Sequence, residues 1–349
     1  MRGRFFAPLL ALLLLSGCAM EPAEPGRQSG RLYETAGLSP DAVVLTVDGR
    51  EVPAWRYLYC LTDVCDALRA EGTELSNWEA PRFGGTLEDY IEQEAVRSAA
   101  LYATVESLAE EQGIALTEEE RAGLSQDWAT LAEQRGGEPA FLAALLDRGL
   151  ERSDAERLAE DCLLYQHLLE AAREEGNPLH PTQAELDQFA QETGYFCVDF
   201  IRISTADLEP TDQETREQRH HKAERVLELL NAGADFSDLA EACSDDPQRV
   251  HFPAGRTCRP GDGTFPPEVE RAAASLKQGD HSGILEGADG YYLLSARPLD
   301  QNEVFQDFFD AQLQQEAEKA RLHYRRPFRE ISPQTFYERL LGLRPKSDL

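Results

Sequence analysis

The apolar residues of this chain follow a helical period up to about residue 193 and a strand period from Tyr195, and this change constrains the fold more than any other feature. The segment YFCVDFIRIST, 195–205, is rich in aromatic and β-branched residues, which favour strands. After residue 301 the helical period returns. The sequence therefore predicts an α+β protein in which helical segments flank a smaller mixed unit.

Capping boxes mark the helix starts of the first part. The motif, Ser or Thr followed three residues later by Glu, occurs at Thr117 with Glu120, Ser153 with Glu156, and Thr182 with Glu185. A further helix is predicted between a cap at Thr86 and a stop at Gly113. A strand at 43–47 and a turn at 48–49 precede these helices. We therefore predict a helical domain over 41–193, with a hinge in EEGNPLHP, 174–181, because Asn-Pro and His-Pro both resist helix.

The segment 195–299 alternates between strand and helix signals. One strand comes first, followed by a helix from about Arg216 to Asn231 and a shorter helix near Phe236. A loop rich in Gly and Pro, 244–267, leads to the helix PEVERAAASL and then to two short strands that end at Pro298. This order predicts a compact domain made of an antiparallel sheet and helices.

The C-terminal segment, 301–349, predicts two helices, EVFQDFFDAQLQQEAEKARLHYRRPF and SPQTFYERLLGL. The first carries an apolar stripe at Val304, Phe308, Leu313 and Leu322. A terminal helix with such a stripe needs a partner surface. We therefore expect 301–349 to pack on 41–193 as one domain, with 195–299 inserted as a separate module.

The N-terminus has the organisation of an export signal. Arg2 and Arg4 precede an apolar run at 5–15, which is too short to span a bilayer as a helix. The Leu-Ser-Gly-Cys junction that ends at Cys18 resembles the lipobox of bacterial lipoproteins. The alternative is an ordinary secretory signal in which Cys18 is incidental. The lipobox reading predicts a signal peptide at 1–17, a flexible tether at 18–40, and an extracytoplasmic protein anchored to the bacterial cell membrane by lipid on Cys18.

The charge balance excludes some partners. The chain has 64 Asp and Glu against 34 Lys and Arg, a net charge of −30, so binding to nucleic acid is not expected. The same charge repels an anionic membrane surface, so contact with lipid requires the anchor. The histidines are scattered and no Cys-x-x-Cys occurs, and we predict no metal and no cofactor.

Six further cysteines permit disulfides in an exported chain. A disulfide between Cys243 and Cys258 is one candidate, and by closing the loop between them it would stabilise the fold by about 3 kcal/mol in the chain-entropy model.

Three stretches of the second segment together resemble a parvulin-type peptidyl-prolyl isomerase domain. They are LNAGADFSDLAEACSDD, GTFPPEVERAAASLKQGDHSGIL and DGYYLLSARPL, and they occur in the family's order. The signal, the helical domain and the C-terminal helices around one such domain resemble the extracytoplasmic foldases of the PrsA and SurA type. The resemblance implies a helical chaperone domain with an inserted parvulin-like domain, and it implies binding of unfolded or nascent exported proteins and of proline-containing segments.

The resemblance also implies where the site lies. Parvulins place two histidines on adjacent central strands beside a Cys or Asp, next to an apolar pocket for the proline ring. Here Phe200 and Tyr292 take the two histidine positions, and Asp246 takes the Cys or Asp position. Phe265 and Val269 match the proline pocket. Because neither histidine is present, the resemblance implies a degenerate catalytic site at Asp246 and Tyr292, and a substrate-binding pocket of Phe200, Phe265, Val269 and Tyr292.

Three functions follow from these features. The first is a chaperone for extended client chains, with isomerase activity weak or lost. The second is an active prolyl isomerase with a rearranged site. The third is a scaffold lipoprotein with one dedicated partner. Aggregation assays, prolyl exchange rates and the number of partners distinguish them.

Overall fold

The computed structural model describes residues 31–39, 42–207, 213–247, 251–252 and 255–344, which form two compact units. The first takes in the chain up to His180 and again from Phe309, and the second runs from Pro181 to Phe308. The division between His180 and Pro181 falls inside the segment predicted as a hinge. The predicted signal peptide and Cys18 lie outside the described residues.

The α+β class is confirmed. In chain order the elements up to the division are α1 (Arg31–Ala36), β1 (Val43–Val47), β2 (Arg50–Pro53), α2 (Ala54–Ala70), β3 (Pro81–Arg82), β4 (Gly85–Thr86), α3 (Leu87–Glu111), α4 (Glu118–Gln134), α5 (Glu138–Asp147) and α6 (Arg152–Arg173). The elements after it are α7 (Gln183–Thr193), β5 (Phe196–Ser204), α8 (Gln213–Asn231), α9 (Phe236–Cys243), β6 (Arg256–Cys258), α10 (Pro267–Ser275), β7 (Leu285–Gly287), β8 (Gly290–Ala296), α11 (Gln301–Lys319), β9 (Leu322–Tyr324), α12 (Arg326–Arg329) and α13 (Pro333–Leu343). Among these helices none has the length and apolarity needed to cross a membrane.

The threonine caps were predicted correctly and the serine cap was not. Thr86, Thr117 and Thr182 each accept a hydrogen bond from the backbone N–H three residues later, and the carboxylate at that position accepts one from the backbone N–H of the threonine. The predicted box at Ser153 is wrong, because α6 begins earlier and its cap is Glu151 with Asp154. Ser153 therefore lies inside the first turn of the helix.

The sheet of the first unit corrects the prediction for the C-terminal segment. The predicted helix over 303–328 ends at Lys319, and β9 then pairs antiparallel with β1, giving the order β2-β1-β9. The cause is the turn after β1: the Asp48 N–H donates to the Arg321 carbonyl at 3.0 Å, and the Arg321 N–H donates to Asp48 Oδ1 at 3.1 Å. Leu322, predicted on a helical stripe, lies on this strand. Tertiary pairing here overrides helix propensity.

The beginning of the first unit also differs from the prediction. Residues 31–40 were assigned to the tether, but 31–36 form α1, whose Leu32 is 1% exposed. Leu32 packs on Gly149, where an added Cβ would lie 2.4 Å from the leucine. The Arg31 guanidinium donates to the Leu146 carbonyl at 2.8 Å. These contacts fix a segment that its local sequence alone would leave extended.

An ion pair is buried in the helical core. Arg56 of α2 donates to Asp161 of α6, and the two residues are 5% and 4% exposed. Arg56 also donates to Glu106 at 3.0 Å, and its guanidinium lies 4.6 Å and 4.5 Å from the ring centres of Trp55 and Tyr102.

Asp161→Ala should destabilise the first unit by about 3–5 kcal/mol, because it leaves the Arg56 charge buried without its main partner. Arg56→Met combined with Asp161→Leu should reduce the stability of the first unit by less, because neither charge of the Arg56–Asp161 pair is then left unpaired. The check is chemical denaturation of each variant, with Arg152→Ala as the control for an exposed pair, expected to cost about 1 kcal/mol or less. An Asp161→Ala loss no larger than that of Arg152→Ala would contradict the assignment.

The sheet of the second unit has the order β6-β5-β8-β7 and is antiparallel. Side chains of a strand alternate between faces. One face packs on α8 and α9 through Ile201, Ile203, Tyr291 and Leu293 with Val226, Leu230, Phe236 and Ala240. The other face packs on α10 through Val198, Leu294 and Tyr292 with Phe265, Val269 and Ala273. The two layers explain why Cys243 and Cys258 are free thiols: Cys243 packs on the first face and Cys258 on the second.

The second unit is larger than the predicted module of 195–299. It includes α7, which was assigned to the helical domain, and the first turns of α11. Phe189 of α7 meets Phe308 edge-on, with ring centres 5.4 Å apart, and the Tyr195 hydroxyl donates to Asp307. The bounds differ from the prediction because these aromatic contacts form across more than a hundred residues of sequence.

Candidate functional site

Four residues predicted for the pocket meet on the α10 face of the sheet. The Phe200 ring lies edge-on to the Phe265 ring at 4.9 Å, and the Tyr292 ring lies 6.4 Å from both. Val269 of α10 is fully buried in the same cluster. Phe265 is 5% and Tyr292 3% exposed, whereas Phe200 is half-buried. The predicted proline pocket is thus an aromatic cluster with Phe200 at its accessible side.

Strand alternation and a proline-initiated helix create this cluster. Phe200 lies on β5 and Tyr292 on the neighbouring β8, both on the face toward α10. Pro266 and Pro267 start α10, where a missing N–H costs nothing, and they place Val269 in its first turn. An added Cβ on Gly287 would lie 3.0 Å from the Tyr292 ring, so the glycine allows β7 to approach that ring.

The Tyr292 hydroxyl is held by a polar pair whose role the sequence did not predict. It donates to Asp289 Oδ1 at 2.8 Å, and Arg202 Nη1 donates to Asp289 Oδ2 at 3.2 Å. Arg202 lies directly across the sheet from Tyr292. Burial, and then the hydrogen bond to Asp289, raises the pKa of Tyr292 well above its ordinary value. The hydroxyl is therefore a protonated donor over the physiological pH range.

Asp246 lies on a loop that is fastened to β5 beside Arg202. The Ser244 hydroxyl accepts from the backbone N–H groups of Arg202 at 3.1 Å and of Asp246 at 3.4 Å. The N–H of Asp245 donates to the Arg202 carbonyl at 2.7 Å. The structure thus ties the Asp246 loop to the strand that carries Phe200, while the carboxylate that accepts from Tyr292 is Asp289.

Two histidines of this unit, His251 and His281, are both exposed. The His281 Nδ1 lies 2.9 Å from the Ser282 carbonyl oxygen. Neither belongs to the buried cluster around Tyr292. Within the described residues no group of three His, Cys, Asp or Glu side chains is arranged to hold a metal ion.

Residues 201–297, which contain Phe265, Val269 and Tyr292 of this cluster, match the family described as "Rotamase: PPIC-type PPIASE domain". The chain carries a parvulin-type domain. The resemblance seen in the three sequence stretches is thereby confirmed. Tyr292 lies within the matched residues, and Phe200 lies just outside them on the adjacent strand.

Longer similarity extends to known chaperones. The chain is 29% identical over 191 residues to "Chaperone SurA" of Alcanivorax borkumensis, covering 50% of this chain and 42% of that protein. It is 27% identical over 173 residues to "Chaperone SurA" of Thiobacillus denitrificans, covering 47% and 38%. The matched segment thus spans about two fifths of each relative.

Solved structures of foldases are similar at low sequence identity. The foldase protein PrsA from Streptococcus pneumoniae is 16% identical, with a TM-score of 0.32, over 72% of this chain and 83% of that one. PrsA from Bacillus subtilis is 14% identical, with a TM-score of 0.27, over 77% and 91%.

Proposed function

We propose that this protein is an extracytoplasmic folding factor that binds unfolded or nascent exported polypeptides, with prolyl isomerase activity weak or lost. The observation that carries the proposal is the aromatic cluster of the parvulin-type domain. Half-buried Phe200, backed by the buried rings of Phe265 and Tyr292, offers an apolar surface for a proline ring, and no histidine stands at either position that the resemblance assigns to a catalytic histidine. The similarity to SurA supports a chaperone role.

The geometry favours binding over catalysis. Isomerisation requires the twisted amide to be held more tightly than either planar form. A cluster that only buries the proline ring holds all three alike, and uniform binding does not lower the barrier. The one polar group inside the cluster, the Tyr292 hydroxyl, is already engaged by Asp289.

A second candidate is an isomerase with a rearranged site. The observation that favours it is the chain from Arg202 through Asp289 to the Tyr292 hydroxyl. Such a network fixes the position of the Tyr292 hydroxyl next to the pocket and needs no histidine. If it acts on the twisted amide, Tyr292→Phe will lower the exchange rate of a proline-containing peptide, whereas the binding-only proposal expects no change in that rate.

We propose that lipid on Cys18 holds the protein at the membrane. The Leu-Ser-Gly-Cys junction after an apolar run supports this, and two acyl chains on one residue give stable anchoring. Mass spectrometry of the membrane fraction should find acylated Cys18 as the first residue. A soluble product cleaved elsewhere would overturn the anchor and leave the pocket proposal standing.

The test of the pocket compares two similar substitutions on opposite faces of one sheet. Phe265→Leu replaces an aromatic ring of the pocket, on the α10 face of the sheet. Phe236→Leu replaces an aromatic ring on the opposite face, which packs on α8 and α9. An aromatic contact is worth about 0.5–1.5 kcal/mol, so Phe265→Leu should weaken binding of a proline-containing peptide roughly 3–10-fold. Phe236→Leu should leave it near the wild-type value.

Fluorescence anisotropy measures the affinity, and light scattering of an aggregating unfolded protein measures chaperone activity. Equal weakening by the two substitutions would mean that the pocket does not bind the peptide. Tight binding to a single partner protein, without suppression of aggregation, would favour the scaffold function instead.

A further inference from the structure

A basic segment interrupts this strongly acidic chain. Residues 319–329, KARLHYRRPFR, hold five Lys and Arg and no Asp or Glu. The whole chain has 34 Lys and Arg in 349 residues, so the segment is several times richer in cations than average. In the structure it covers the end of α11, the strand β9 and the short helix α12.

Most of these cations face solvent and are weakly neutralised. The side chains of Arg321 and Arg326 are 83% and 89% exposed, and their partners Asp48 and Glu330 are themselves half exposed. Arg325 and Arg329 are exposed and make no ion pair within the described part of the chain. We call Arg321, Arg325, Arg326 and Arg329 the arginine patch.

A half-exposed aromatic residue lies between the arginines of the patch in the sequence. Tyr324 is 45% exposed and is supported from behind by Phe328, whose ring centre lies 4.6 Å away. Phe328 in turn packs against Tyr57 of the core at 5.1 Å. Tyr324 is thus a half-exposed ring on a rigid base with arginines close to it in the chain, a combination that suits a bilayer interface, where tyrosine rings and phosphates lie at the same depth.

The patch lies in the same unit as the N-terminal end of the described chain. Helix α13 follows α12 after three residues, and its Arg339 donates to the Thr35 carbonyl of α1 at 3.5 Å. Arg31 follows Cys18 by thirteen positions. Fully extended, this stretch reaches about 45 Å, and α13 is about 16 Å long, so an anchor at Cys18 leaves the patch within range of the lipid surface.

We propose that the arginine patch binds the phosphate headgroups of an anionic bilayer and thereby fixes which face of the first unit meets the membrane. This proposal deepens the lipid anchoring proposed at Cys18. The remaining acidic surface is repelled by the same bilayer, so attraction and repulsion act together to orient the protein. Each arginine near an anionic surface strengthens surface contact about fivefold, and the effect decays within a Debye length of about 8 Å at physiological salt.

The experiment places a fluorescent reporter in the patch. Tyr324→Trp adds an exposed indole, whereas Trp55, Trp78 and Trp128 are 1%, 3% and 7% exposed. The protein, as purified from membranes, is reconstituted with vesicles whose acyl chains are brominated and quench tryptophan on contact. One vesicle contains phosphatidylglycerol and the other phosphatidylcholine alone. Quenching of the new indole is expected only in the anionic vesicle, and it should disappear in high salt.

Two matched triple variants separate the patch from total charge. Arg325→Gln, Arg326→Gln and Arg329→Gln together should weaken the contact roughly a hundredfold and abolish quenching. The control replaces Arg97, Arg121 and Arg152 with Gln, which changes net charge equally and removes only exposed pairs. The tryptophan at position 324 should be quenched in this control as strongly as in the protein that carries Tyr324→Trp alone.

Two other outcomes overturn the proposal. Vesicle flotation without quenching means that the anchor holds but another face meets the membrane. Equal quenching in both vesicles means that apolar insertion of position 324 acts without the arginines. If the protein does not float, the anchoring proposal fails separately, and the soluble protein added to anionic vesicles at low salt must still show quenching for the patch to stand.

Discussion

Removing residues 309–349 is expected to leave the first unit unfolded while residues 181–308 remain folded. The removed segment fills the core of the first unit with large buried side chains: Phe309, Leu313, Phe328, Phe336, Tyr337 and Leu340 are between 0% and 9% exposed. Losing one such side chain to alanine costs about 2–5 kcal/mol. A domain has only about 5–15 kcal/mol of stability, so losing six exceeds what the unit can tolerate.

The truncation also removes specific polar and strand contacts. Strand β1 loses β9 and becomes an exposed edge, which invites aggregation. Asp66 of α2 loses the Tyr337 hydroxyl at 2.6 Å and both guanidinium bonds of Arg344, at 2.8 Å and 2.7 Å.

Calorimetry of the full chain and of the truncated chain checks this expectation. The truncated chain should keep one transition, at the temperature of the isolated 181–308 fragment. Leu343→Ala is the control, because Leu343 lies on the same terminal helix but is 52% exposed, and it should shift stability by about 0.5 kcal/mol or less. An unchanged transition of the first unit after truncation would contradict this account of its core.

Features governed by local rules were predictable from the sequence. Threonine with a carboxylate three residues later satisfies orphan N–H groups wherever it occurs, and the structure has these boxes at Thr117 and Thr182. The Asp48–Gly49 turn was equally predictable from its local sequence. Strand β9 was not, because it exists through pairing with a strand some 280 residues earlier, and its local sequence carries a helical pattern.

The same distinction holds at the site. A family pattern located Phe200, Phe265, Val269 and Tyr292, and the structure brings these four together. It did not reveal the role of Arg202, because only the strand register places Arg202 opposite Tyr292. Asp289 had a local signal: it precedes Tyr292 by three residues across a tight turn, a spacing that allows a carboxylate to return to the hydroxyl.

Phe200→His combined with Tyr292→His is expected to raise the prolyl isomerase rate of this domain at least about tenfold over the wild type, which should accelerate exchange little. A tenfold change corresponds to about 1.4 kcal/mol of barrier. The two positions lie on the adjacent strands β5 and β8 with ring centres 6.4 Å apart, so imidazoles there can act on one amide. Asp289, released from the Tyr292 hydroxyl, remains as an acceptor that orients the ring introduced at position 292.

The substitutions should be tolerated by the fold. Exchanging an aromatic ring for an imidazole loses apolar burial of about 1–3 kcal/mol at each position, and Phe200 is already half-buried. Tyr291→His is the control for stability, because Tyr291 is 7% exposed on the same strand but faces α8. It should lose no more stability than the double variant and should gain no activity.

The pH dependence identifies which groups act. Burial and the bond to Asp289 hold the pKa of Tyr292 far above neutrality, so any wild-type activity that depends on this hydroxyl should be flat from about pH 6 to 9. The double variant should instead change activity near the histidine pKa of about 6.5. Exchange of a proline-containing peptide, followed by NMR, measures both profiles. If the wild type already matches a histidine-bearing parvulin, the site is not degenerate, and the flat profile then assigns its activity to the Arg202–Asp289–Tyr292 network.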